Sequence, residues 1–179
     1  MEYIVDQNAD MKRLARDLRE NDTLKSLVVR GYLDDDAVTK IADALKENDT
    51  LLHLTLRYQE LAGSAPPGGL EILYFKRYGG SSVFALAQAL RVNRTLETLN
   101  LNPGGLPKSL SSLRGSGTFY STQKEAVYVN MSPILDVIKE FGRLKKLTLN
   151  VNYLAPEHRR EFEKLAQERP NFKLILESK

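Results

Sequence analysis

Apolar residues along this chain fall into two alternating registers. In the first, Met11, Leu14, Ala15 and Leu18 stand at i, i+3, i+4 and i+7. The same spacing returns at Val38, Ile41, Ala42 and Leu45, at Val83, Leu86, Ala87 and Leu90, and at Met131, Ile134, Leu135 and Ile138. Phe162, Leu165 and Ala166 continue it more faintly. This spacing places apolar side chains on one stripe of a helix. The second register has period two. It runs Leu24-x-x-Leu27-x-Val29, Leu51-x-x-Leu54-x-Leu56, Leu96-x-x-Leu99-x-Leu101 and Leu144-x-x-Leu147-x-Leu149, and Leu174 and Leu176 lie 27 positions after Leu147 and Leu149. Period two predicts a strand with one buried face. The chain therefore reads as helix, tight turn and short strand, repeated.

The turn between the two registers repeats as well. Residues 18–24 read LRENDTL, 45–51 LKENDTL and 90–96 LRVNRTL; 138–144, IKEFGRL, is a degenerate copy, and 165–171, LAQERPN, keeps only the first leucine. One such unit cannot bury both its helix stripe and its strand face, so the units must stack on a shared core. The stretch Ala44-Leu45-Lys46-Glu47-Asn48-Asp49-Thr50-Leu51 followed by L-x-x-L-x-L resembles the ribonuclease-inhibitor-like class of leucine-rich repeats. That class also occurs in intracellular immune receptors and tropomodulin-type actin-capping proteins. The resemblance implies an α/β leucine-rich-repeat solenoid, forming a single domain over 1–179. A short curved parallel sheet would line its concave face and helices its convex face. It implies a non-catalytic scaffold that binds a macromolecular partner by surface shape.

The chain departs from that class after each strand. The family pattern continues to x-x-N-x-L, with the asparagine satisfying backbone groups of the turn. Only Asn152 with Leu154 fits; Tyr32, Gln59 and Gly104 hold the equivalent places. Those turns must find other partners for their backbone.

Two irregular insertions, at about 59–80 and 102–130, break the period. Leu45 to Leu90 spans 45 positions and Leu90 to Ile138 spans 48. The first holds Ala62-Gly-Ser-Ala-Pro-Pro-Gly-Gly69 and then Leu70-x-x-Leu73-x-Phe75, which reads as a strand from a unit that lost its helix; a hairpin with 54–60 is the alternative. In the second, Thr118-Phe-Tyr-Ser and Ala126-Val-Tyr-Val129 flank a polar turn, as in an inserted hairpin or strand pair. Ser132 before Pro133 is expected to cap the following helix. Loops this long in compact domains often carry function, though they can also be plain decoration.

Composition excludes several chemistries. Cysteine is absent and there are only two histidines, His53 and His158. Disulfides, thiol catalysis, cysteine-ligated metals and multi-histidine metal sites are thus ruled out. No Walker A motif, G-x-G-x-x-G or nucleophile elbow is present. The expectation is no catalytic residue, no metal and no cofactor. The net charge of +3 is too small to argue for nucleic acid without clustering. No apolar run reaches membrane-span or signal-peptide length, which leads us to expect an intracellular, cytoplasmic protein without membrane contact. The oligomeric state is not readable.

Two local features have structural readings. The triplets Asn21-Asp-Thr, Asn48-Asp-Thr and Asn93-Arg-Thr look like glycosylation acceptors, but they fall where each helix ends, and asparagine tolerates left-handed geometry there. Asp34-Asp35-Asp36 could hold a metal; just before a helix, it reads as a cap.

The candidate site lies on the strands. Side chains between the core leucines face the concave surface in three columns: Ser26, His53, Ile72, Thr98, Lys146, Lys173; then Val28, Thr55, Tyr74, Asn100, Thr148, Ile175; then Arg30, Arg57, Lys76, Asn102, Asn150, Glu177. If 70–75 is a strand of this sheet, Arg30, Arg57 and Lys76 form a cationic ladder. Arginine and tyrosine are enriched at binding hot spots, although arginine is also common on solvated sheet faces. The residues expected to contact a partner are Arg30, His53, Thr55, Arg57, Tyr74, Lys76, Asn100 and Asn102. The partner so implied is a protein with an acidic surface. Assembly into a larger complex is the alternative, and nucleic-acid binding a weaker one.

Overall fold

A computed structural model describes residues 2–5, 11–31, 33–58, 80–102, 129–151 and 154–178. Within these, five helices alternate with six strands: β1 (Glu2–Val5), α1 (Met11–Glu20), β2 (Ser26–Gly31), α2 (Asp35–Glu47), β3 (His53–Tyr58), α3 (Gly80–Val92), β4 (Thr98–Asn102), α4 (Ser132–Phe141), β5 (Lys146–Asn150), α5 (Pro156–Glu168) and β6 (Lys173–Glu177). The architecture is α/β. All six strands form one parallel sheet in sequence order, β1 to β6. Among the described residues, no helix is long and apolar enough to cross a membrane.

The helix stripes and strand leucines meet in one core. Leu27 and Val29, Leu54 and Leu56, Leu99 and Leu101, and Leu147 and Leu149 are buried together with Leu14, Leu18, Ile41, Leu45, Leu86, Leu90, Ile134, Ile138, Phe162 and Leu165. Adjacent strands pair these leucines in register: Leu27 with Leu54, Leu54 with Leu99, Leu99 with Leu147, and Leu147 with Leu174. A one-residue slip would turn every leucine to the other face, so the pattern fixes the register. Leu33 and Leu154 close the core beyond the ends of β2 and β5.

Buried amides tie neighbouring units at the helix-to-strand turn. Asn48 and Asn93 are 3% and 6% exposed. Asn48 Nδ2 donates to Leu18 O at 2.8 Å and Asn21 O at 3.0 Å, in the unit before it. Asn93 Nδ2 repeats this on Leu45 O at 2.8 Å and Asn48 O at 2.7 Å. The carboxamide oxygens turn inward on their own unit. Asn48 Oδ1 accepts from Thr50 and Leu51 N, and Asn93 Oδ1 from Thr95 and Leu96 N. Thr50 and Thr95 hydroxyls add bonds back to Leu24 O and Leu51 O. Each asparagine thus binds carbonyls that the preceding helix end leaves open. The left-handed geometry expected at this position is not used: Asn48 has φ −80° and ψ 127°, an extended conformation. The triplet reflects hydrogen bonding across units rather than tolerance of positive φ.

The fourth and fifth copies solve the same turn differently. Phe141 replaces the asparagine, α4 runs on through it, and the chain turns at Gly142 with φ 61°. A Cβ at Gly142 would stand 2.9 Å from Arg169 Nη1. The Arg169 guanidinium is packed there because it donates to Ile138 O, the equivalent of the Leu18 and Leu45 carbonyls that the asparagines serve, and to Lys139 O. Arg143 reaches Asn93 O at 3.5 Å and lies over the Phe141 ring. A void of about 10 Å³ lined by Leu90, Asn93, Ile138 and Phe141 marks this less regular step.

Three expectations need correction. First, β3 pairs directly with β4, Leu54 to Leu99 and Arg57 to Asn102, while its other edge pairs with β2. Residues 70–75 lie outside the described residues, but no strand can intervene between β3 and β4. The hairpin alternative, 70–75 with 54–60, involves residues outside the described ones. Second, Ser132 does not cap α4. Met131 holds the cap position without a side-chain bond, and Ser132 Oγ instead meets His158 Nε2 at 2.8 Å. Pro133 does occupy the first turn. Third, β1 is a strand that the periodicity did not signal. The hairpin expected at 118–129 lies outside the described residues, apart from Val129, which bridges in parallel to Leu154. Asn152 is outside them too.

Asp34 caps α2 as expected, accepting from Ala37 N at 2.8 Å. Asp35 instead accepts from Ser81 and Ser82 hydroxyls of α3, both at 2.6 Å, and Asp36 pairs with Lys40. The acidic run is occupied in capping α2, in an ion pair within it, and, through Asp35, in joining it to α3.

Replacing Asn48 by alanine strips buried donors from two carbonyls and is expected to cost about 1–3 kcal/mol. Asn21→Ala, which among the described residues removes only bonds within its own turn, should cost less. Equal losses in urea unfolding would contradict the inter-unit role. In the same assay Leu56→Ala should cost about 2–5 kcal/mol, and Leu176→Ala, half-buried at the sheet edge, clearly less.

Candidate functional site

The face of the sheet opposite the helices carries the alternate residues of each strand. Strand register sets them in three columns. Ser26, His53, Thr98, Lys146 and Lys173 form one, and Val28, Thr55, Asn100, Thr148 and Ile175 the second. The third begins with Arg30, Arg57 and Asn102. It continues through Asn150, whose Nδ2 meets Asn102 Oδ1 at 3.4 Å, to Glu177. At the near edge, Ile4 pairs with Arg30 and Glu2 with Val28, positions that sequence reading missed because no helix stripe precedes β1.

Arg30 and Arg57 are brought together as register partners on adjacent strands, which lie roughly 4.8 Å apart. Both are half-buried, as is Thr55, and His53 is exposed beside them. The ladder expected to run on to Lys76 runs instead to Asn102, because β4 occupies the place given to 70–75. Tyr74 and Lys76 lie outside the described residues. A second basic pair, Lys146 with Lys173, stands at the opposite corner of the face.

Exposure varies across this face. Asn102, Thr148 and Asn150 are only 7%, 3% and 4% exposed, and Asn100 is half-buried with its Oδ1 enclosed and unbonded among the described residues. The face was expected to be open throughout. His53 and Lys173 are exposed on it, Arg30, Thr55 and Arg57 are half-buried, and Asn102 is enclosed. Period-two patterning reports which face a residue takes but not what lies above it.

Sequence reading also passed over the turn edge. A cleft of about 640 Å³ opens between Arg94, Glu97, Arg143, Lys145, Arg169 and Phe172, away from the strand columns. Lys145 pairs with Glu97 at 2.5 Å, and Arg169 is held by carbonyls at the end of α4. These cations complement the negative ends of α3, α4 and α5. The repeat phase gives a partial signal, because Arg143 falls where Thr50 and Thr95 stand in earlier copies. On the helix side, Phe84 and Val92 of α3 are large exposed apolar residues, 55% and 53%. Among the described residues, no group of three or more acidic, histidine or cysteine side chains could hold a metal.

The α4–α5 contact is polar at its rim. Ser132 meets His158, and Lys139 Nζ donates to Glu161 Oε2 at 3.0 Å. The hydrogen bond and charge of Lys139 hold the Glu161 carboxyl below the usual carboxylate range. No family model matches the chain, and no curated protein matches it.

A depressed folded-state pKa means that the ionised Glu161 favours the fold above the ordinary carboxylate value, and that this contribution is lost as pH falls through the lower, folded value. Lys139→Met should move the Glu161 carboxyl titration, followed by carbon NMR, upward toward its ordinary value. A titration that does not move would remove Lys139 as the cause.

Proposed function

We propose that this protein is a leucine-rich-repeat solenoid of the ribonuclease-inhibitor-like class, acting as a non-catalytic interaction module. Its concave face grips an acidic protein surface. The single observation that carries this reading is the pairing of Arg30 with Arg57, both half-buried, on adjacent strands of this face. Two guanidinium groups at this spacing suit carboxylates, which arginine binds in a planar, bidentate manner. His53 and Thr55 flank them with further donors, and Val28 adds an apolar contact beside Thr55. A charged strand face recognises a surface rather than enclosing a small substrate. The one-to-one stacking of helix–turn–strand units supports the solenoid reading.

Affinity capture with the whole chain from its native source, followed by mass spectrometry, tests this against a paired charge reversal. Arg30→Glu with Arg57→Glu should abolish capture of acidic protein partners while leaving the circular dichroism spectrum and melting temperature near those of the parent. An unchanged capture profile in the double variant would rule the face out. Capture that survives the reversal but collapses steeply with salt in the presence of RNA or DNA would favour nucleic acid instead.

A further inference from the structure

The C-terminal edge of the sheet carries a pattern that neither the repeat nor the concave face requires. Among the described residues β6 ends the sheet, pairing on one side with β5. Its core-side residues Leu174 and Leu176 are half-buried, whereas their register partners Leu147 and Leu149 are fully buried. Ile175, on the other face, is half-buried as well. The strand thus presents three apolar residues between two charges, Lys173 and Glu177, and among the described residues its outer hydrogen-bonding edge has no partner strand. Exposed edges of this kind pair readily with another strand unless something prevents it.

The order of residues selects the partner. Lys173-Leu174-Ile175-Leu176-Glu177 is complementary to itself when reversed. In an antiparallel pair centred on Ile175, Lys173 stands opposite Glu177 of the second copy at both ends. Leu174 stands opposite Leu176, and Ile175 opposite Ile175. Directly opposed residues lie on the same face, so the leucines extend the core side and the charges and isoleucines the other. In-register parallel pairing would set lysine on lysine and glutamate on glutamate, which is unfavourable at cross-strand distance. A two-fold axis through Ile175 satisfies the self-complementarity that an isologous interface demands. We propose that β6 is a dimerisation edge, joining two copies of this chain by antiparallel β6–β6 pairing into one continuous sheet.

Sedimentation velocity of the whole chain across a range of micromolar concentrations tests this, with two charge variants. Lys173→Glu leaves two acids on the strand and Glu177→Lys leaves two bases. Either alone sets like charges together at both ends and should weaken dimerisation by roughly tenfold or more. Neither should harm the monomer, since Lys173 neighbours Lys146 and Glu177 neighbours Asn150 within the sheet; unchanged thermal melting checks this. Mixing the two variants should restore a dimer made of one of each, because acids then face bases throughout. A parent chain that stays monomeric, a dimer indifferent to both reversals, or variants that do not recover on mixing would each overturn the proposal.

Discussion

The structure depends on how the helix-to-strand turn of one unit is bonded to the unit before it. Helix ends leave carbonyls without partners, and in a stacked arrangement these ends are enclosed on both sides. Asn48 and Asn93 meet that constraint with one carboxamide each, donating backwards to two carbonyls and accepting from two amides of their own turn. The leucine core supplies most of the stabilisation, but apolar contacts are non-directional. The amides tie unit to unit in the phase that the leucine pattern fixes, the one that brings Arg30 beside Arg57.

The later units show that the constraint is chemical rather than tied to one residue. Where Glu168 stands at the asparagine position of the fifth copy, the carbonyls at the end of α4 are served by the guanidinium of Arg169, reaching across from that unit. That exchange brings its own requirement, because the guanidinium occupies the space over Gly142 and leaves no room for a side chain. The same stretch holds the small void beside Phe141 and the basic cleft of the turn edge.

Much of this was legible in the sequence. Period 3.6 and period 2 identified all five described helices and the strands β2 to β6, and the fixed phase of L-x-x-L-x-L gave their register. What patterning could not supply was anything set by neighbours at a distance. It missed β1, a short strand with no helix stripe before it. It assigned 70–75 to the sheet because Leu70-x-x-Leu73-x-Phe75 has the right local spacing, yet the edge it would need is held by Leu99 and its neighbours. It placed the asparagines at the right turn for a wrong reason, since backward hydrogen bonding across 27 or 45 positions leaves no local trace. On the candidate site, alternation told that Asn102 and Thr148 share a face with Arg57 but not that they would be enclosed.

The direct pairing of β3 with β4, and of β4 with β5, has a bearing on how the chain finds its fold. The cost of closing a connection grows only with the logarithm of its length, so a 48-residue interval in place of a 27-residue one adds just ~0.5 kcal/mol. The longer intervals do not change which strands become neighbours, but they do separate stretches that close quickly. Units through β3 are contiguous in sequence, as are those from α4 to β6, and each group can assemble from near contacts. The strand between them, β4, must be captured from both sides across long connections. Among the described strands, β4 is thus the one whose two neighbours both lie across the longer connections.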